Sequence, residues 1–171
     1  MAGLGHLGFG FAAKRLAPKI PLGFLLGACM ELDLLYIGLS LLGIESVNGV
    51  ATFTHSMIMA VGWSLLTAGV TALIVRRFRE ALVMGLLVFS HWVLDAVVWP
   101  MTAVSPDMTQ SQPLFLQAQP SIGLGLYRTV FGVILGEGVF LAAGIAVYIV
   151  TLVQIKRRKR AGLNEMAQGI E

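Results

Sequence analysis

The stretch "ALVMGLLVFSHWVLDAVVW", Ala81 to Trp99, decides what kind of molecule this chain is. It has the length of a membrane span, for which about 20 apolar residues are needed. It nonetheless carries His91 and Asp95, which a helix places one turn apart on the same face. A carboxylate at the centre of a membrane helix costs roughly 2.5–3.5 kcal/mol on the insertion scale. A span that holds such a pair must contain something that offsets it.

Outward from this stretch the rest of the chain agrees. Of its 171 residues 57% are hydrophobic and only 12% charged, against about a quarter charged in a soluble domain. Mean hydropathy is +0.83. Further spans are expected over Ile20–Leu42, opened by the prolines of "PKIP", over His55–Val75, and over Leu126–Ile155. Between the third and fourth, Met101–Gly125 contains Pro106, Pro113 and Pro120 and reads as irregular loop. The segment "GLGHLGFGFAAKR" before the first span is apolar but too short to cross. The expected fold is therefore all-α: a polytopic membrane bundle of four transmembrane helices plus a short N-terminal interfacial or re-entrant helix. Residues 1–155 would form the embedded domain and 156–171 a basic, then polar, tail.

Basic residues fix the orientation. Lys14, Arg15 and Lys19, then Arg76, Arg77 and Arg79, then the "KRRKR" run Lys156–Arg160 fall on one side, and only Arg128 on the other. The positive-inside rule then places both termini in the cytoplasm of a cell whose inner membrane the chain crosses, with Trp99 and Tyr127 at outer interfacial positions. The net charge of +3 is accounted for as topology and an anionic-lipid anchor, so no nucleic-acid partner is expected. The single cysteine, Cys29, excludes an intrachain disulfide. Its context "LLGAC" resembles a lipoprotein box, but the apolar sequence continues past it, as for a thiol buried in a helix. Gly132 and Gly136 in "GVILG" have small-residue spacing that suits close helix packing, within the bundle or in a homo-oligomer.

Glu31, Asp33, Asp95 and Glu137 lie inside expected spans, where no lysine or arginine does. At 1.5 Å per residue, Asp33 lies about 13 Å below the outer end of its span and Glu137 about 16 Å below. His91 and Asp95 fall in the outer half of theirs, and His55 begins the second. The groups thus share a depth. Imidazole nitrogen and carboxylate oxygen are the donors preferred by zinc and related divalent metals. With His6, His55, His91 and the four acids taken together, a bound divalent metal, zinc first among them, is expected. The competing reading is a hydrogen-bonded His91–Asp95 pair, a protonated Asp33, a capping His55 and a solvated His6.

"GHLGFGFAAKR", "ELDLL", "THS" and "SHWVLD", in this order from the N-terminus to Asp95, resemble the membrane-bound metal-dependent hydrolase family, inner-membrane hydrolases associated with LexA binding. "PLFLQAQPSIGLGLY" resembles a permease-labelled branch of it. The family is distantly similar to zinc-dependent phospholipase C, and the resemblance implies His6, Asp33, His55, His91 and Asp95 as metal ligands. Departures are visible. A D-x-D-H run of the family is here Glu31-Leu32-Asp33-Leu34, and of an H-R-G-x-T-H-S element only Thr54-His55-Ser56 is present. The missing ligands are consistent with one metal rather than several, or with a member that no longer hydrolyses anything.

Three functions follow for test. A metal-dependent hydrolase would act on a membrane lipid or other amphiphile, including a phosphodiester, with Glu31 or Glu137 as general base or further ligand. A small transporter would use the same groups to relay protons or cations. A scaffold would use them only to fix helix register. No P-loop and no G-x-S-x-G elbow is present in the sequence.

Overall fold

A computed structural model describes residues 3–45, 52–98, 112–116 and 121–168. Apart from turns, these segments are helical, with a two-residue antiparallel pairing of β1 (Gln112–Pro113) with β2 (Ser121–Ile122). Three helices are long and apolar enough to cross a membrane: α5 (Met57–Val75), α6 (Phe78–Val98) and the continuous run Val130–Ala161. Trp99, Pro100, Pro106 and Pro120 lie outside the described residues, whereas Pro113 sits in β1.

The stretch from Ala81 is the centre of the molecule. Within the apolar window of α6, 67% of residues are buried, against 11% in each of the other two long helices. The others therefore present apolar side chains outward, such as Leu65, Leu73 and Ile74 on α5 and Val130 and Phe131 beyond it. Patches of this kind are unusual on a soluble monomer and suit lipid contact. Helices α5 and α6 pack as a hairpin. A Cβ on Gly85 would stand 2.8 Å from the Ser64 carbonyl, so glycine permits this approach.

The expected first span is not one helix. It is α2 (Leu22–Cys29) and α3 (Glu31–Leu41), bent by 63° at a break of one residue, Met30. The break puts a helix N-terminus inside the bundle, and Glu31 and Asp33 occupy its first turn. The helix dipole favours carboxylates at that end. The second expected span, His55–Val75, is α5 but for its first two residues: His55 closes the short α4 (Thr52–His55), and Ser56 accepts a hydrogen bond from the Met59 amide as N-cap of α5.

The N-terminal segment forms α1 (Gly5–Ala13), and it is packed into the bundle rather than lying outside it: His6, Gly8, Gly10 and Ala13 are buried. It lies against α2, α6 and α8 (Phe140–Gln168). A Cβ on Gly8 would collide with the Phe140 carbonyl, and one on Gly144 with the Gly8 backbone, so the two helices touch through their main chains. Phe9 against Phe140 and Phe11 against Tyr148 flank this seam. The chain turns back after α1 with Lys14 Nζ donating to the Ile20 carbonyl.

The last long run begins with a 3-10 turn (Leu126–Arg128) and α7 (Val130–Val133), widens into a π-helical turn over Ile134–Val139, and continues as α8. Gly132 and Gly136 face Leu126 and Tyr127 of the same chain.

Candidate metal centre

Four elements deliver five ionisable side chains to one place. Helix α6 contributes His91 and Asp95, α3 contributes Asp33, α4 contributes His55 and α1 contributes His6. All five residues are buried, His91 and Asp95 almost completely. His6, His91 and Asp95 form one group of potential metal donors and Asp33, His55 and His91 another, with His91 common to both.

The separations can be set against two arrangements, a set of hydrogen bonds and a metal site. His55 Nε2 is 3.4 Å from Asp33 Oδ1 and 3.7 Å from Asp95 Oδ2. His91 Nε2 is 3.7 Å from Asp33 Oδ1 and 3.5 Å from Asp95 Oδ2. An N–H···O bond spans about 2.7–3.2 Å. Neighbouring donors around a tetrahedral zinc with bonds of 2.0–2.2 Å are separated by about 3.3–3.6 Å. The four contacts are too long for the first arrangement and close to the second.

The far sides of the imidazoles are held. His91 Nδ1 lies 2.8 Å from the Cys29 carbonyl, which can only accept, so Nδ1 carries a proton and Nε2 is the ring atom that faces the carboxylates. His55 Nδ1 lies 2.8 Å from the Thr54 hydroxyl, a pairing that turns its Nε2 inward. Metal-bound histidines are oriented by such outer partners. His91 Nε2 and Asp95 Oδ1 have no hydrogen-bond partner among the described residues. A buried ring nitrogen and a buried carboxylate oxygen left in this way are costly, and a cation between these groups would offset that cost. The donor set, its spacing and these two atoms therefore fit a divalent metal.

His6 reaches the cluster from the other side. Its Nε2 is 3.5 Å from Asp95 Oδ1 and 3.3 Å from the His91 carbonyl, and its ring lies 4.0 Å from that of His91. Asp33 has the most accessible side chain of the ion-paired cluster, 12% exposed against 2% for Asp95. The cluster thus opens on its α3 side, where Tyr36 meets the His55 ring edge-on.

The two further acids are engaged elsewhere. Glu31 Oε1 accepts from the Thr67 hydroxyl at 2.6 Å, tying α3 to α5. Glu137 accepts from the backbone amides of Gly3 and Gly5 and from the Tyr127 hydroxyl. Sequence reasoning did not find Thr54, the Cys29 carbonyl or Tyr127. Thr54 adjoins His55 and could have been considered, but a main-chain acceptor and a tyrosine from a distant turn leave no local signal.

No protein-family model matches this chain, and neither does any curated protein or solved structure.

Proposed function

We propose that this chain is a membrane-embedded metal-dependent hydrolase acting on a lipid or other amphiphile, with zinc as the metal and a phosphoester as the bond attacked. The observation that carries the metal is the set of four imidazole–carboxylate separations of 3.4–3.7 Å, with both histidines held from behind. The hydrolytic reading rests on the resemblance of the His6, Asp33, His55 and His91–Asp95 motifs to the membrane-bound hydrolases. In this reading α2 and α3 together make one broken span, giving four, with α1 re-entrant and both termini cytoplasmic.

His55 and His91 bind through Nε2, and Asp33 and Asp95 supply the charge that neutralises a dication. His6 Nε2, 3.5 Å from the second oxygen of Asp95, is the peripheral member of the ligand set. A divalent cation at this position supplies Lewis acidity, polarising a phosphoryl oxygen and acidifying water. Of the two acids considered as general base, Glu137 is occupied by three donors and Glu31 by one, the Thr67 hydroxyl, so the role is assigned to Glu31. The substrate headgroup enters beside Asp33 and Tyr36 while its apolar part stays among the exposed leucines of α3, Leu34 and Leu41.

Elemental analysis of purified wild-type, His91→Ala and Asp95→Ala protein, with hydrolysis of a phosphoester lipid in mixed micelles, tests this. Near-stoichiometric metal in the wild type, lost in both variants together with hydrolysis, is expected. Equal metal in all three defeats the centre. Retained metal with no hydrolysis, but metal-dependent cation flux in liposomes, replaces the enzyme by the transport reading.

A further inference from the structure

We propose that Glu137 is a positioning residue: it latches the N-terminus of α1 and thereby sets His6 against Asp95. Helix α1 has nine residues and no side-chain cap of its own, since Leu4 occupies the N-cap position. The first amides of a helix lack intrahelical partners and carry the positive end of its dipole. Glu137 supplies what is missing from another helix, taking the Gly3 amide on Oε1 at 2.9 Å and the Gly5 amide on Oε2 at 2.7 Å. The Tyr127 hydroxyl donates to Oε1 as well. Both carboxylate oxygens are thus engaged in holding α1, which offsets the cost of an acid at this depth.

Backbone geometry brings Glu137 to this point. It sits in the π-helical turn Ile134–Val139, and π-turns inside helices are frequent at functional sites. A Cβ on Gly5 would strike the Gly136 carbonyl, so the first turn of α1 rests directly on the turn that carries Glu137. The next residue is His6, whose Nε2 is 3.5 Å from the Asp95 oxygen that has no hydrogen-bond partner among the described residues. Release of the latch lets this turn fray, and His6 with it.

The proposal rests on the metal reading only for its second arm. The first arm is independent of metal. Cys29, the one cysteine, is buried, and a Cβ on Gly10 of α1 would stand 3.0 Å from its Sγ, so α1 covers the thiol. In the purified full chain, Glu137→Gln is expected to speed labelling of Cys29 by a small maleimide about fivefold, and the milder Tyr127→Phe about twofold, through local opening of α1. Unchanged labelling in both variants overturns the latch, leaving glycine packing as what holds α1. In the second arm, Glu137→Gln is expected to raise the zinc Kd about 10- to 100-fold, as for other outer-shell changes. In a His6→Ala background the same substitution should alter Kd by less than about twofold, because the two residues act as one unit. An equal loss in both backgrounds overturns the proposal and makes Glu137 a direct ligand. A wild type without zinc defeats the metal centre alone, and the labelling result still decides the latch.

Discussion

Thr54 and the Cys29 carbonyl do for the two central histidines what a metal site requires: each takes the Nδ1 side and leaves Nε2 to the carboxylates. The two supports differ in kind. The Cys29 carbonyl is a main-chain group beside the Met30 break, so no side-chain substitution removes it. The Thr54 hydroxyl can be removed without changing shape by Thr54→Val. That variant should fold and weaken zinc binding about 10- to 100-fold, measured by competition with a chromophoric chelator. An unchanged Kd would show that His55 needs no orientation from Thr54. At this scale the sequence disclosed much. Four residue steps between His91 and Asp95 predict a shared face, and the structure places both on the buried side of α6. Asp33 and His55 were expected at the same depth and do meet that pair. The outer partners were not legible, because a backbone acceptor has no residue type to announce it.

Helices α5 and α6 meet where the sequence changes from apolar to the arginines Arg76, Arg77 and Arg79, the boundary expected between two spans. The break at Met30 was hidden. Neither proline nor glycine stands there, and the apolar run is continuous through "LLGACMELDLL" except for the acids themselves. Only tertiary pairing, with His91 against the Cys29 carbonyl, reveals why the helix can afford to stop. Helix α1 was left between interfacial and re-entrant because nine residues say nothing about depth. Its glycines show that it packs main chain to main chain against α8, and they also yield a prediction. Gly8 faces the Phe140 carbonyl so closely that a methyl group has nowhere to go. Gly8→Ala should destabilise the protein in detergent by about 1–3 kcal/mol, the usual range for overpacking. Gly27→Ala is the control, since its Cβ would meet nothing within 4 Å; it should be neutral or slightly stabilising, as alanine is the better helix former. Equal thermal midpoints for the two variants would show that α1 does not depend on main-chain contact with α8.

For the whole molecule, the cluster is where α1, α3, α4 and α6 are tied together. Three of these elements, α1, α3 and α4, are too short to be stable alone, since isolated helices under about 12 residues are marginal. Their placement depends on what they meet inside the bundle. In a cation-bound state, Asp33 and Asp95 are drawn toward one centre; without the cation they are like charges buried close to the same imidazoles. Metal removal should therefore loosen the elements that carry the ligands, not merely empty a pocket. A ligand at 100 times its Kd adds about 2.7 kcal/mol to the folded state. Treatment with a strong chelator should lower the thermal midpoint of the purified protein by several degrees, and zinc should restore it. His91→Ala should show the lower midpoint from the outset and no response to either treatment. A wild-type midpoint unmoved by chelation and by added zinc would favour the scaffold, in which His91 and Asp95 fix helix register through each other and need no cation between them.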